Sequence, residues 1–178
     1  MTGARGLLSG LLAGAAGLLS ACDDGTRVTR VDRMGSFSRS YLVTAAAGGG
    51  LPVIVHGAPF EGVAPEEVVA RLSFPAGTLH YVDFRLAERG TRPTNRLVLV
   101  FNRADAPDGV RDCRGETPRL AGPDPGGTGF SAQATFCMGD RMQATGVLEA
   151  TRTRAGDPQS LASALRRLLR EIAGDIIA

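Results

Sequence analysis

Two segments late in the chain alternate apolar and polar residues, Phe130 to Met138 (FSAQATFCM) and Met142 to Ala150 (MQATGVLEA). A period of two puts alternate side chains on one face of a strand. Phe130, Ala132, Ala134, Phe136 and Met138 share a face in the first segment. Met142, Ala144, Gly146, Leu148 and Ala150 share one in the second. A two-residue Gly139-Asp140 turn pairs Met138 with Arg141 and sets the apolar faces on opposite sides. A three-residue loop, Gly139 to Arg141, pairs Met138 with Met142 and Phe136 with Ala144, and is the preferred reading. Cys137 then points to the other face of the hairpin.

Further strands follow from composition. Leu97 to Phe101 (LVLVF) is continuously apolar and reads as a strand covered on both faces. Pro52 to His56 (PVIVH) is β-branched and bounded by Gly. Leu79 to Leu86 (LHYVDFRL) alternates, with His80, Val82, Phe84 and Leu86 on one side. Ser38 to Ala46 (SRSYLVTAA) is read as a first strand. Pro65 to Leu72 reads as a short helix, with Pro65 at its first position and Glu66 and Glu67 at the positive end of its dipole. The clearest helix is the last. Asp157 caps it, Pro158 starts it and Gly174 ends it, and Leu161, Leu165, Leu168, Leu169 and Ile172 fall at helical spacing. Arg166, Arg167 and Arg170 lie off that stripe and read as a solvated face. The predicted fold is α+β: a mainly antiparallel sheet of five or six strands, with the short helix and the C-terminal amphipathic helix on one face.

The start of the chain follows neither pattern. Arg5 precedes a run of Leu, Gly, Ala and Ser from Gly6 to Ala21. A basic start, an apolar run and small residues make the layout of an export signal. The run falls short of the roughly 20 residues that span a bilayer. It ends Leu19-Ser20-Ala21-Cys22, which resembles the lipobox of bacterial lipoproteins. The resemblance covers the first 22 residues only, and the alternative is a secreted protein with an incidental Cys. It implies cleavage after Ala21, a diacylglyceryl group on Cys22 and usually an acylated new amino terminus. Two or three acyl chains anchor firmly where one is marginal. Asp23 is similar to the residue that retains such proteins in the inner membrane of enteric bacteria. The rule differs between lineages, so inner and outer membrane both stay open. Residues 1–21 are thus a signal peptide, 22–35 a lipidated Cys with a polar, aperiodic tether, and 36–178 one domain facing the periplasm.

Composition narrows the chemistry. The mature chain of 157 residues is long enough for one domain with a real core. All twenty basic residues are Arg, so no lysine Schiff base or lysine general base is available. A net charge of +2 leaves no electrostatic footprint for nucleic acid. Trp is absent and aromatics are few, which disfavours stacking platforms. If Cys22 is lipidated, Cys113 and Cys137 remain as a pair, and an exported protein meets an oxidising compartment. A disulfide is expected, contributing roughly 3 kcal/mol by loop closure. Free thiols or a metal site are the alternatives, and only His56 and His80 could join a metal site. Ala104 to Gly129 is rich in Pro, Gly and Asp and reads as a long loop, which the disulfide pins to the hairpin.

No nucleophile elbow or phosphate loop is present in the sequence. Gly35-Ser36-Phe37-Ser38 and Gly129-Phe130-Ser131 lack the full pattern, and Gly48 to Gly50 lacks the Lys. No cofactor is implied. The expected function is a non-catalytic interaction or assembly module, bound to a membrane through Cys22 and to an envelope protein. One alternative is a binder of a small apolar or lipidic ligand between sheet and last helix, lined by Phe84, Phe101 and Leu165. Another is a hydrolase-type enzyme using His56, with Glu61, Asp83 or Asp112 as orienting carboxylate. The pinned loop is the favoured recognition element.

Overall fold

The computed structural model describes residues 25–35, 37–72, 82–123, 126–153 and 157–174. Six strands form one sheet: β1 (Thr26–Arg33), β2 (Leu51–His56), β3 (Phe84–Leu86), β4 (Asn95–Phe101), β5 (Phe130–Met138) and β6 (Arg141–Ala150). Their spatial order is β1-β6-β5-β4-β2-β3. The pairs β1–β6, β6–β5 and β5–β4 are antiparallel, whereas β2 runs parallel to both β4 and β3. The fold is α+β, and its sheet is mixed: three of the five strand pairs are antiparallel and two are parallel, so it is not purely antiparallel. Parallel neighbours need a crossover. The segments carrying the helix after β2, and the later one returning to β4, supply it.

Four helices accompany the sheet: α1 (Arg39–Ala46), α2 (Pro65–Ala70), α3 (Gly109–Cys113) and α4 (Pro158–Ala173). Leu42 of α1, Val68 and Val69 of α2 and the Leu/Ile stripe of α4 join one continuous core. The sheet contributes Val53, Leu97, Leu99, Phe101, Ala134, Phe136 and Leu148 to it. The opposite face carries a smaller cluster of Val98, Val100, Cys113 and Cys137. Helix α3, which the sequence reading did not foresee, covers that face, while the short helix α2 and the C-terminal α4 share the other as expected. This double cover explains the unbroken LVLVF run, since every residue from Arg96 to Phe101 is buried.

Helix α4 has the predicted ends. The Asp157 carboxylate accepts from the Gln159 and Ser160 N–H groups (3.0 and 3.4 Å), and Gly174 closes the helix with φ +77°. Its stripe lies so close to β6 that a Cβ on Gly146 would fall 2.6 Å from Ile172 Cγ1. Gly146 is therefore a packing glycine in an otherwise alternating strand.

Three expectations are corrected. Residues 26–33, read as tether, form edge strand β1 in antiparallel register with β6 from Thr26↔Ala150 to Arg33↔Ala144. The segment looks like linker because Arg and Thr occupy its exposed positions. Its few apolar side chains, Val28 and Val31, lie opposite Leu148 and Gly146. The Ser38–Ala46 segment is helix α1, not a strand: it packs Leu42 onto the core, and its Tyr41 hydroxyl donates to Asn95 Oδ1 at 3.0 Å. The β5–β6 turn has two residues, with Met138↔Arg141 and Cys137↔Met142 paired. A β-bulge between Phe136 and Cys137 then restores Phe136↔Ala144, leaving Gln143 as the extra residue. The bulge reconciles a two-residue turn with matched apolar faces. Strand β3 spans only part of the predicted Leu79–Leu86 strand, and His80 lies outside the described residues, as does Cys22.

Candidate functional site

The face under α3 holds the polar chemistry of the molecule. Along β5, Gln133, Thr135 and Cys137 point away from the main core, and Thr145 of β6 stands opposite Thr135. Helix α3 is seated on them because Gly109 has no side chain. A Cβ there would lie 2.7 Å from Met142 Sδ and 3.1 Å from both Thr135 Cγ2 and Thr145 Cβ. Asp108 caps α3, accepting from the Val110 and Arg111 N–H groups at 3.0 and 3.1 Å.

The expected disulfide joins Cys113 at the end of α3 to Cys137 on β5, with Cα atoms 5.4 Å apart and both residues fully buried. The 104–129 segment is thus not structureless. It carries α3, and an isolated bridge pairs Arg103 with Leu120. Beside the disulfide, Arg96 is buried to 1% exposure and donates to Pro93 O at 2.7 Å and to Cys113 O. Burial, more than the neighbouring Arg92, pulls its pKa below the usual arginine value.

One residue before Cys113, Asp112 forms a buried ion pair with Arg103; the two side chains are 1% and 5% exposed. Asp112 Oδ2 also accepts from Gln133 Nε2 at 2.9 Å and from the Thr135 hydroxyl at 3.3 Å. The Thr135 and Thr145 hydroxyls lie 2.9 Å apart. Burial raises the Asp112 pKa, and the Arg103 charge opposes that rise. Gln133 Oε1 is buried and has no hydrogen-bond partner among the described residues. Gln133 lines a cleft of about 370 Å³ between the start of α3 and the β1–β6 edge, whose walls include Asp32, Asp108, Met142 and Thr145. Arg30 also lines the cleft and pairs with Asp32 at 2.6 Å, and Asp108 Oδ1 is taken up by the cap of α3, which leaves Gln133 Oε1 as the acceptor without a described partner.

A second recess of about 590 Å³ lies at the carboxyl end of β2, between Glu66 of α2 and the Glu88–Thr91 turn. His56 lines it. Burial first, and then the charge of Arg103, lowers the imidazole pKa and keeps it neutral at pH 7. The carboxylates considered as its orienting partner go elsewhere. Asp112 is committed to Arg103, Gln133 and Thr135, Glu61 is exposed, and Asp83 lies beside Leu51 at the other end of β2. No group of three or more potential metal ligands occurs among the described residues.

The apolar pocket expected between sheet and last helix is filled by side chains. Phe101 and Leu165 are at most 1% exposed, and Phe101 meets Phe130 edge-on at 5.9 Å. Phe84 is half-buried at the sheet margin. Arg167, on the face read as solvated, reaches back to Thr26 O at 2.7 Å. Sequence reasoning passed over Arg96, Arg103, Gln133, Thr135 and Thr145. A faint signal existed: the polar positions of β5 are uncharged Gln and Thr where a solvated face would carry charges. No family model, no curated protein and no solved structure matches this chain.

Proposed function

We propose that the protein is a lipid-anchored envelope lipoprotein that works as a non-catalytic interaction module facing the periplasm. The observation that carries this reading is the Leu19-Ser20-Ala21-Cys22 box at the end of an apolar run preceded by Arg5. The Cys113–Cys137 disulfide supports export, because such bonds persist in oxidising compartments. No helix among the described residues is long and apolar enough to cross a membrane. On this reading the attachment is the lipid on Cys22. Radiolabelled palmitate should enter the wild-type chain and not the Cys22→Ala variant; label persisting in the variant sinks the anchor. Crosslinking in intact cells should return one reproducible envelope neighbour, and a different set in each replicate counts against an interaction module.

A second reading has its own observation. Gln133 Oε1 is a buried acceptor without a described partner beside a polar cleft. Leaving such a group unsatisfied costs about 1–3 kcal/mol, so the cleft favours an occupant with an N–H or O–H donor. Titration with small primary amines and amides should move the Gln133 side-chain amide resonance in a saturable way. A linear, non-saturating drift for every compound removes the reading.

A further inference from the structure

The lipid attachment residue and the start of the fold are very close along the chain. Gly25 O already accepts the Thr151 N–H at 2.9 Å, and Thr26 pairs with Ala150. Three Cα steps separate Cys22 from Gly25, and each spans at most about 3.6 Å. Cys22 Cα therefore lies within ~11 Å of Gly25 Cα. The headgroup layer on each side of a bilayer is itself roughly 5–8 Å thick. An acylated Cys22 leaves only a few ångströms of water between the headgroups and the Gly25 corner of the sheet.

The pole that carries this corner can be read from the register. Thr26, Ala150 and Phe130 lie in one row across β1, β6 and β5, and Asn102 N–H bonds Ser131 O to bring in the end of β4. His56↔Val100 places the end of β2 at the same pole. Its surface includes Arg27, Arg119, Arg152 and Leu120, with Glu61 and Glu149 among them. Leu120 is 42% exposed on a backbone held to β4 by Ala104 N–H to Arg119 O (2.8 Å) and Ala121 N–H to Asn102 O (2.7 Å). It is a fixed apolar tip rather than a loose one. The Gly139–Asp140 turn is at the opposite pole. The nine residues of β5 place it ~30 Å away.

We infer that the pole bearing Gly25, Arg27 and Leu120 is a membrane-facing surface, which the two-residue link Asp23-Asp24 holds against the lipid headgroups with the strands running away from the bilayer. This rests on the lipoprotein reading. Arg27 and Arg119 at the pole meet lipid phosphates beside the Asp23 and Asp24 carboxylates of the link, and Leu120 meets the headgroup boundary. The mixed charges make the surface compatible with the bilayer, while the acyl chains provide the anchoring. The turn at Asp140 then projects furthest into the periplasm.

The test uses the full lipidated chain in vesicles of phosphatidylglycerol and phosphatidylethanolamine containing headgroup spin-labelled lipid. A fluorophore is placed at Leu120→Cys in one sample and Asp140→Cys in another, with the Cys113–Cys137 disulfide intact. Quenching should be several-fold stronger at position 120 than at position 140. Equal quenching, or stronger quenching at 140, overturns the inference. Flotation and palmitate incorporation are read on the same samples. Floating, acylated protein with equal quenching removes the docking surface alone. Protein that neither floats nor carries label removes the lipoprotein reading and the inference with it.

Discussion

Arg103 and Asp112 show how one pair ties the 104–129 segment to the sheet. Nine positions apart, they meet only because α3 turns Asp112 inward over Thr135. A buried pair adds little over an apolar substitute, but removing one partner strands the other charge. Arg103→Leu should therefore cost about 3–5 kcal/mol in urea denaturation at pH 7. The sign of its pH dependence follows from Asp112. Burial raises the folded-state pKa of this carboxyl above its ordinary value of 3.8. Between the two values the folded state holds more protons than the unfolded one, so stability falls as pH rises through that window. Loss of Arg103 lifts the folded value further. The deficit of Arg103→Leu should thus be smaller near pH 4 than at pH 7, and an equal deficit at both would show that the charge of Asp112 is not the cause. His56 acts in the opposite direction: its lowered folded pKa means stability is lost as pH falls below 6.5. At this scale the sequence was legible where counting sufficed, as for Cys113 and Cys137. It was nearly silent where chemistry depends on which residues α3 covers, because nothing local marks Arg103 as buried and only the uncharged Gln and Thr of β5 hint at Gln133.

The elements divide in the same way. Helix α4 was readable from end to end because its cap, first-turn Pro, apolar stripe and terminal Gly all agree. Strand β1 was not, since an exposed edge strand carries the charges of a linker. Its contacts with α4 are long-range: Arg33 donates to Ile172 O at 2.8 Å and to Glu171 O, and Arg167 donates to Thr26 O. Arg33 thereby satisfies terminal helix carbonyls and places a positive charge at the negative end of the dipole. Arg33→Ala should lower stability by about 1–2 kcal/mol and speed amide exchange in the last turn of α4, with the first turn unchanged. Uniform acceleration along α4 would assign the effect to the sheet instead. Helix α1 was misread because Tyr-Leu-Val favours strands in isolation, and only the packing of Leu42 decides otherwise. Helix α3, five residues long, is held by its disulfide and by Asp108. Both sulfur-bearing residues are fully buried, so reductant should leave the bond intact in the native protein and cleave it once urea opens the fold. The Cys113→Ser, Cys137→Ser double variant should lose about 3 kcal/mol. Alkylation mass shifts and urea midpoints would read the two outcomes.

At the scale of the whole molecule, the sheet ends in two unlike edges. Strand β3 has three residues, and β1 presents Arg27, Arg30 and Arg33 with a register shift between Val28 and Arg30. Short length, charge and a bulge all discourage edge-to-edge pairing. On the lipoprotein reading the chain arrives from Cys22 at this β1 edge, with Arg27 at the near end of the strand and Arg33 at the far end. Orientation then depends on the shortness of the link more than on affinity of the pole, whose Arg27, Arg119 and Arg152 are interleaved with Glu61 and Glu149. Two consequences separate these causes. Cys22→Ala protein should not float with anionic vesicles, because the pole alone binds too weakly. Inserting a flexible Gly/Ser segment of about twelve residues between Asp24 and Gly25 gives a link with an end-to-end distance of roughly 20 Å. The fold should be unchanged, since Gly25 O and Thr26 keep their partners in β6 and the segment after it. The domain should then rotate over its anchor, and headgroup quenching at positions 120 and 140 should converge while the Tm stays constant. Contrast that survives the insertion would move the cause of orientation from the link to the surface of the pole.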